Sequence, residues 1–515
     1  MIETTRGLGF VRTMRPELLL ALDQGTTSSK ALVMDHEGTV LGRAQHELPA
    51  SYPSPGWVEQ DPEAIWQGQL AAATEALGNA GITSRDLAGI GVSNQRETTV
   101  VWDRATGEPV SPAIVWQDRR TAPLIGKWVE AGLGDTITRI TGLVADPYFS
   151  TSKIRWILDN VPEARERAEA GNLAFGTVDS WLLFRLTGGS VHATDVTNAS
   201  RTMLYDTSRL EWSAELLQAF RIPASLLPEV RDTVAHFGDT DPSLLGRSIP
   251  IYALAGDQHA SLFGQACFEP GMAKCTYGTG CFMVQNTGAI RKASPDRLLS
   301  TLAWSLPGRF GGVSYALEGS VFVAGSAVQW LRDGLGLIRE ASEVNDLAGS
   351  VSDSGGVWFV PAFAGLGAPH WDPHARGAIL GLTRGSTAGH VARAALEGIA
   401  LQVADVFNVL AGAGGHAPIE IRADGGGARS SLLMQLQADS LGVPVVRSAT
   451  DEATAMGAAF LAGLGAGVFR GLDEVGALWQ AAETFEPRIS DSRREEWIDR
   501  WHDAVSRAAA WESPG

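Results

Sequence analysis

A chain of 515 residues is too long for one hydrophobic core, and roughly 150 residues per domain indicates two to four domains. Hydrophobic residues make up 44% of the chain and charged residues 19%, which is typical of a globular protein. The formal net charge of −17 excludes a broad surface for nucleic acid or anionic membrane, whereas a phosphate site needs only local donors.

The cysteines and the apolar segments indicate a cytoplasmic protein. Cys267, Cys275 and Cys281 have no CxxC spacing and are expected to be reduced thiols, with a zinc site as the alternative. No apolar run reaches the roughly 18 residues of a membrane span. Residues 1–17 are predicted to be a disordered N-terminal extension, with Met14 as an alternative start, and not a signal peptide.

The first half of the chain opens with predicted strands at 18–22, 30–34 and 39–45. Asp61 as N-cap and Pro62 as first helical residue then begin a helix. The remaining elements predicted for this half are strands at 87–93 and 99–102, helices at 120–131 and 151–170, a helical segment at 180–183 and a buried strand at 249–256.

At Gly271 the pattern of strand, Gly/Thr turn and strand begins again. The elements predicted for this second half are strands at 272–277, 281–285, 312–318, 357–360 and 419–422, and helices at 321–333, 388–411, 430–441, 451–466 and 490–512. This repetition predicts two α/β domains, 18–265 and 266–515, facing across a cleft in which a ligand binds.

Three glycine-rich turns follow strands, at 23–29, 277–280 and 424–430. Their backbone and hydroxyl donors suit phosphate groups held from both halves, and Asp23 offers a hard oxygen ligand for a divalent metal. None of the turns matches GxxxxGK[ST] or a dinucleotide-binding GxGxxG. The alternative is that they are three unrelated turns and that 23–29 is an ordinary hairpin turn.

Polar residues at other strand ends are candidates for binding a hydroxylated substrate. Asp257 ends an apolar strand and could accept a proton from a substrate hydroxyl, although a helix cap is the simpler interpretation. Arg96 and Glu97 suit polyol hydroxyls, but a structural ion pair fits equally well. Trp116 and Tyr148 could line a pocket or pack in the core.

Between about Leu18 and about Trp511 the chain contains, in this order, the stretches LALDQGTTSSKALVMD, GVSNQRETTVVWD, AIVWQDRRT, GLVADPYFSTSKIRWILDN, FGTVDSWL, TNASRTML, AGDQHASLFGQ, KCTYGTGCFM, ALEGSVFVAGSAVQWLRD, PAFAGLGAPHWDPHARGAILGLTRG and RADGGGARSSLLMQLQAD. Together they resemble the FGGY carbohydrate-kinase family, and several of them resemble its members that act on glycerol. Both broad signatures of that family are present, at 148–160 and 377–397.

The resemblance implies an actin-like, ribonuclease-H-like fold in each domain, with ATP and Mg²⁺ in the cleft. It implies the ATP-dependent phosphorylation of glycerol to sn-glycerol 3-phosphate in glycerol catabolism, by a homodimer or homotetramer. The alternatives are another polyol or ketose kinase of the family, an actin-like ATPase, and an inactive polyol sensor.

The resemblance also assigns roles by position. Asp257 is expected to be the general base, and Asp23 to hold Mg²⁺ directly or through water. The residues expected to contact glycerol are Arg96, Glu97, Trp116, Tyr148, Asp257, Gln258 and Phe282. The residues expected around ATP are Thr26, Thr27, Ser28, Lys30, Thr279, Gly325, Gln329, Gly426 and Ser430. Lys30 and Ser430 depart from the family pattern, which has Arg and Asn there.

Overall fold

The computed structural model describes residues 17–293, 298–413 and 415–512. The predicted disordered extension, 1–17, lies outside the described residues except for Glu17. We number the helices and the strands of the two main sheets in chain order.

The first sheet has five strands in the order β5-β4-β1-β2-β3. Strands β1, β2 and β3 are antiparallel neighbours, whereas β1, β4 and β5 run parallel. The central strand reads as a continuous apolar run because both of its faces are covered, as is usual for parallel strands. The strands are β1 Leu18–Gln24, β2 Ser28–Met34, β3 Val40–Glu47, β4 Leu87–Asn94 and β5 Ile251–Gly256.

The second sheet has seven strands in the order β8-β9-β7-β6-β10-β11-β12. Its core β9-β7-β6-β10-β11 repeats the order and directions of the first sheet, with β8 and β12 added at the edges. The strands are β6 Ala273–Tyr277, β7 Cys281–Gly288, β8 Leu299–Ser305, β9 Val313–Val321, β10 Ile421–Asp424, β11 Val445–Ser448 and β12 Ala481–Phe485.

Short ladders between the main elements pair two to four residues each. They join Glu59–Gln60 with Ala113–Ile114, Val100–Asp103 with Leu173–Gly176, Ala193–Asp195 with Glu229–Arg231, Tyr205–Asp206 with Glu211–Trp212, and Trp358–Val360 with Ala378–Leu380.

Helices cover the faces of both sheets. They are α1 Pro62–Ala80, α2 Ala122–Glu130, α3 Leu133–Thr141, α4 Ser150–Asn160, α5 Ala164–Glu169, α6 Val178–Leu186, α7 Val196–Ala199, α8 Ala214–Phe220, α9 Pro242–Leu245, α10 Asp257–Gly264, α11 Gly325–Asp333, α12 Val344–Gly349, α13 Ala388–Ala413, α14 Ser431–Leu441, α15 Ala453–Ala466, α16 Leu472–Gly476 and α17 Asp491–Ala508. Helix α1 begins as predicted, because the Asp61 carboxylate accepts a hydrogen bond of 2.9 Å from the Glu63 amide.

Several predicted elements were wrong. The predicted helix 151–170 is two helices, α4 and α5, because Pro162 lacks an amide donor and disfavours helical backbone at Val161. The predicted helix 321–333 begins only at Gly325, since β9 continues to Val321. Strands β8, β11 and β12 were missed, and four of the five residues of β12 are exposed, so its sequence carries no apolar alternation.

Helices α10 and α15 cross between the two sheets with very close backbones. A Cβ atom on Gly457 would lie 1.8 Å from the Ala260 carbonyl oxygen, and one on Gly264 would lie 2.0 Å from that of Ala453. Helix α15 also packs on the first sheet, where a Cβ atom on Gly91 would lie 2.0 Å from the Ala458 carbonyl oxygen. Glycine at these positions therefore brings the two halves together along one helix pair.

Among the described helices, α13 is the one long and apolar enough to cross a membrane, with a mean hydropathy of 1.4 over its most apolar 18 residues. Of that segment, 83% is buried inside the protein, where Leu396, Ile399 and Val403 belong to the core of the second half. Helix α13 is therefore a core helix.

Candidate active site

The cleft between the two halves contains a cavity of about 540 Å³. It is lined by every residue predicted to contact a polyol, namely Arg96, Glu97, Trp116, Tyr148, Asp257, Gln258 and Phe282. Four residues predicted around ATP also line it, namely Thr26, Thr27, Thr279 and Gln329. The candidate polyol and phosphate residues thus share one cavity.

Asp257 is the first residue of α10, directly after β5. Its carboxylate is a quarter exposed, and Oδ1 lies 3.2 Å from Arg96 Nε. Burial raises the pKa of Asp257, and the positive charges of Arg96 and Lys274 only partly oppose this. A carboxylate with a raised pKa at the edge of a cleft is suited to accept a proton.

Gly256 allows Arg96 to reach Asp257. A Cβ atom on Gly256 would lie 2.7 Å from Arg96 Cγ and Cδ, and 3.0 Å from His259 Nδ1. Any larger residue at the end of β5 would therefore displace the arginine from the carboxylate.

Arg96 and Glu97 belong to a buried cluster of four charged residues, completed by Arg201 and Glu318. Both terminal nitrogens of Arg96 bind Glu318, at 2.5 and 2.9 Å. Arg201 donates to Glu97 at 2.6 Å and to Glu318 at 3.1 Å. Glu97 has a φ of +62°, a costly conformation for a residue other than glycine, so the cluster holds it in a strained position.

Three aromatic side chains form the apolar wall of the cavity. The ring of Trp116 lies 5.6 Å from that of Tyr148 and 6.2 Å from that of Phe282, both edge to face. Tyr148 is buried, and its hydroxyl lies 3.5 Å from Arg96 Nη2. The question left open by the sequence is answered for Trp116 and Tyr148, because both line the cavity while packing against each other.

Gln258 lies beside Asp257 and is oriented by a buried lysine. Lys274 Nζ donates to Gln258 Oε1 and, at 2.7 Å, to the Thr276 hydroxyl. Burial lowers the pKa of Lys274. Because an ammonium group can only donate, the amide oxygen of Gln258 faces the lysine and its NH₂ group remains available as a donor.

The loop after β1 is tightly held. The Gly25 amide donates to the Ser28 carbonyl at 2.9 Å, and the Ser29 hydroxyl donates to Gln24 Oε1 at 2.7 Å. Trp116 Nε1 donates to the Thr26 hydroxyl at 2.9 Å. Ser28 is buried at the start of β2, so its side chain is less accessible than those of Thr26 and Thr27, which reach the cavity.

Asp23 is buried at the end of β1, where one carboxylate oxygen accepts a hydrogen bond of 2.8 Å from the Ser93 hydroxyl. Burial raises the pKa of Asp23 to about 6, against the opposing effects of Lys30 and Ser93. This carboxylate would be stabilised in its ionised form by a nearby cation.

The second glycine-rich turn, 277–280, contacts the start of α11. The Gly325 amide donates to the Gly278 carbonyl at 3.0 Å, and the Ser326 hydroxyl donates to the Thr279 carbonyl at 3.0 Å. Gln329, one turn further along α11, reaches the cavity. The turn and the helix therefore form one unit on the side of the cleft contributed by the second half.

The third turn leads from β10 into α14. Ser430 is the N-cap of α14, accepts a hydrogen bond of 3.0 Å from the Leu433 amide and donates to Asn345. A Cβ atom on Gly426 would meet no atom within 4 Å, so the space beside this residue is open. Gly325, Gly426 and Ser430 do not line the 540 Å³ cavity.

Lys30 lies opposite Asp23 across the β1–β2 pair, but its ammonium group lies 3.5 Å from Glu452 of the second half. It lines a separate cavity of about 470 Å³ that also includes Arg43, Arg429 and Glu452. Lys30 thus reaches the interface of the halves and not the polyol end of the cleft.

Sequence reasoning missed Glu318, Arg201 and Lys274. Each is a fully buried charged residue in an otherwise apolar or weakly polar stretch. That pattern was a usable signal, because a charged residue in a core strand needs a partner. Which partner it has depends on the sheet order and not on the local sequence.

Two family models together match most of the chain. The N-terminal domain of the FGGY family of carbohydrate kinases matches residues 18–264, and the C-terminal domain matches residues 273–466. The chain belongs to the FGGY family of carbohydrate kinases.

Curated relatives of this FGGY kinase include glycerol kinases that match it almost end to end. The glycerol kinase of Methylibium petroleiphilum is 57% identical over 496 residues, covering 96% of this chain and 99% of the relative. The glycerol kinase of Deinococcus radiodurans is 53% identical over 496 residues, covering 96% and 98%.

Solved structures of kinases agree with the family assignment. The crystal structure of Plasmodium falciparum glycerol kinase with ADP has a TM-score of 0.89 and 36% identity, covering 95% of this chain and 98% of that one. A gluconate kinase from Lactobacillus acidophilus has a TM-score of 0.85 at 24% identity, over 96% of this chain and 98% of its own, a likeness of fold alone. The predicted fold class of this FGGY kinase, two α/β domains facing across a cleft, is confirmed, as is its prediction as a kinase.

Proposed function

We propose that this kinase phosphorylates glycerol to sn-glycerol 3-phosphate with ATP as the donor, in glycerol catabolism. The observation that carries the proposal is the set of polar groups from Arg96, Glu97, Asp257 and Gln258, enclosed by an aromatic wall in the same cavity as Thr26, Thr27 and Thr279. Full-length relatives named glycerol kinase, at 53% to 57% identity, support the same substrate.

The proposed binding of glycerol follows from matching each of its parts to the cavity. Trp116, Tyr148 and Phe282 would cover the carbon backbone, while Arg96, Glu97, Asp257 and Gln258 would bind the hydroxyls. A site with buried polar groups strongly rejects analogues that leave those groups unpaired. We propose that the wall formed by these three rings favours a three-carbon polyol over a ketose.

Asp257 is proposed as the general base. Its carboxylate would take the proton from the terminal hydroxyl as that oxygen attacks the γ-phosphorus, while the bond from the γ-phosphorus to the β–γ bridging oxygen breaks and ADP leaves. The raised pKa of Asp257 makes it a stronger base. Its Oδ1 atom accepts a hydrogen bond of 2.7 Å from the Gln258 amide and lies 3.2 Å from Arg96 Nε.

ATP is proposed to lie between the three glycine-rich turns. Thr26, Thr27, Ser28 and Thr279 would hold the phosphates, with Lys30 supplying charge from the side. Gly325, Gln329, Gly426 and Ser430 would surround the nucleoside, and the open space beside Gly426 leaves room for it.

Mg²⁺ is proposed to be held at Asp23, directly or through water. The buried carboxylate with a pKa of about 6 fits a cation-binding position. Within the described residues no group of three His, Cys, Asp or Glu side chains could hold a metal by itself, so water and phosphate oxygens would complete its ligands. When bound, Mg²⁺ would neutralise charge on the phosphates.

We further propose that the chain divides into a polyol- and phosphate-binding domain at 18–265 and a nucleotide-binding domain at 266–515. The repeated sheet order and the two family matches support this division. The resemblance to the family supports a homodimer or homotetramer. Three buried, unpaired cysteines support a reducing, cytoplasmic location.

A coupled assay of purified protein with ATP, Mg²⁺ and a panel of glycerol, erythritol, xylulose and gluconate tests the substrate. We expect glycerol to have the highest kcat/KM and ATP hydrolysis without glycerol to be much slower. Turnover of glycerol far below that of xylulose, gluconate or erythritol would favour another kinase of the family. ATP hydrolysis at equal rates with and without glycerol would also contradict the proposal.

A further inference from the structure

Glu318 is a carboxylate in the middle of the buried strand β9, between Leu317 and Gly319. Its side chain is completely buried. An isolated carboxylate in such a position would be strongly destabilising unless charged partners compensated it. Its partners therefore explain why it is tolerated.

The partners of Glu318 come from the first half of the chain. Arg96 binds both of its oxygens through Nη1 and Nη2, and Arg201 Nη2 adds a third contact at 3.1 Å. Burial opposes the ionisation of Glu318, but Arg201 and Arg96 outweigh it and hold the pKa of this carboxylate far below its usual range. Glu318 is thus a fixed negative charge at the base of the cleft.

Arg96 lies within 4 Å of three carboxylates, closest to those of Glu318 and Asp257 and at 3.9 Å from that of Glu97. Its terminal nitrogens face Glu318, while its Nε atom lies 3.2 Å from Asp257 Oδ1. The two-point contact orients the planar guanidinium, because its donors are in a rigid fork. Without Glu318, the fork would be free to turn toward Asp257 and pair with both of its oxygens.

We propose that Glu318 is a positioning residue for the reaction: from the second half of the chain, it holds Arg96 in the orientation that leaves Asp257 free to act as a base. This inference rests on the proposed function and adds to it a residue that belongs to neither the polyol set nor the nucleotide set. Because Arg96 and Asp257 lie in the first half and Glu318 lies in the second, the proposed polyol site needs residues from both halves.

A second link runs from Glu318 through Arg201 to Glu97. Arg201 Nε donates to Glu97 Oε1 at 2.6 Å while its Nη2 atom contacts Glu318. Glu318 therefore also helps to hold the strained residue Glu97 at the cavity wall.

The charges near Asp257 determine what the loss of Glu318 does to the base. Arg96 and Lys274 lower the pKa of Asp257, whereas Glu318 raises it, and Asp257 in turn interacts with Asp23. The charged or titratable groups around Glu318 are Arg96, Arg201, Glu97 and His259. Burial holds the pKa of His259 well below its usual range, so the imidazole is neutral. Removing the negative charge of Glu318 therefore lowers the pKa of Asp257 and weakens it as a base.

Glu318→Gln tests the proposal in the full-length enzyme, with Glu483→Gln as the matched control, since Glu483 is a carboxylate on the edge strand β12 that pairs with Arg447. We expect Glu318→Gln to lower kcat/KM for glycerol by about 10- to 100-fold, the effect of one charge-assisted hydrogen bond. The KM for ATP should stay within about twofold of the wild-type value. The acid limb of the profile of kcat/KM against pH should move to lower pH. The control variant should match the wild type in kcat/KM for glycerol, in KM for ATP and in the position of the acid limb.

An unmoved acid limb, or equal losses for glycerol and ATP, would overturn the positioning role, since a general structural defect acts on both substrates. If Glu318→Gln does not fold, Glu318→Asp tests the positioning role instead, because it keeps the negative charge on a side chain that is too short to contact Arg96 in the same way. A raised KM for glycerol with unchanged Tm is then expected, and wild-type constants would overturn the proposal. Wild-type turnover of glycerol in the same assay tests the proposed function separately.

Discussion

Trp116 Nε1 donates a hydrogen bond of 2.9 Å to the hydroxyl of Thr26, which joins the aromatic wall of the cavity to the loop after β1. Thr26 is also held through its carbonyl, which accepts a hydrogen bond of 2.6 Å from Gln60 Nε2. The proposed polyol wall and the proposed phosphate loop are therefore mechanically connected. A substitution in the aromatic wall should therefore change the KM values of both glycerol and ATP.

Trp116→Phe is expected to show this connection. The substitution keeps an aromatic wall but removes the indole N–H, so kcat should fall by about 2- to 10-fold, the effect of one neutral hydrogen bond, and the KM values of both glycerol and ATP should rise. Steady-state kinetics with each substrate varied in turn measures this. Trp212→Phe is the matched control, because its N–H donates to the Pro228 carbonyl away from the cleft. A change confined to the glycerol KM would contradict the connection.

Asp257→Asn is expected to remove the general base while keeping the shape of the site. The kcat should fall by at least roughly 100-fold, the usual contribution of a general base, and glycerol binding measured by calorimetry should be largely kept. Asp159→Asn, on α4, removes a carboxylate that pairs with Arg155 and Arg165 outside the cavity and should leave kcat unchanged. Near-wild-type turnover by Asp257→Asn would exclude the role.

Asp23→Asn is expected to change how stability depends on pH in the nucleotide-free and metal-free protein. The pKa of Asp23 is about 6 in the folded protein against 3.8 as its ordinary value. Between these values the folded state binds more protons than the unfolded state, so this carboxylate makes the wild type less stable as the pH rises. At pH 4 the variant and the wild type should unfold alike, because Asn resembles the protonated acid.

At pH 7 the Asp23→Asn variant should be more stable than the wild type by up to about 3 kcal/mol, the equivalent of the pKa shift. Thermal or urea unfolding with EDTA, from pH 4 to 7.5, measures the difference. Mg²⁺ with ADP should remove the advantage of the variant, since the wild-type carboxylate then has a cation. Stability curves that run parallel over this pH range would show that Asp23 is not buried with a raised pKa.

Gly457→Ala is expected to disturb the crossing of α10 and α15. The new methyl group would meet the Ala260 carbonyl at 1.8 Å, and since this neighbour is backbone, relief requires the helices to separate. Overpacking of this kind costs about 1–3 kcal/mol or more, so both Tm and kcat should fall. Gly126→Ala on α2 is the control, because a Cβ atom there meets nothing within 4 Å and should be neutral or slightly stabilising. An unchanged Tm for Gly457→Ala would contradict the close contact.

The sequence was sufficient for most of what is local. Asp61 and Pro62 begin α1 as predicted, since capping acts within one helical turn. The strands around the first two glycine-rich turns are also as predicted, and every predicted polyol residue lies at the cavity. By contrast, the edge strand β12 carries almost no buried side chain, so its pairing with β11 leaves no alternating pattern in the sequence.

The sequence by itself determined which residue types end the strands, and therefore that acidic, basic and glycine-rich segments would gather at one cleft. The tertiary structure alone decided the pairs, such as Arg96 with Glu318, 222 positions away, and Lys30 with Glu452. Capping, turns and apolar periodicity act over a few residues, so they can be recognised along the chain. Contacts between the halves depend on strand order and on the packing of α10 against α15, which no local pattern encodes.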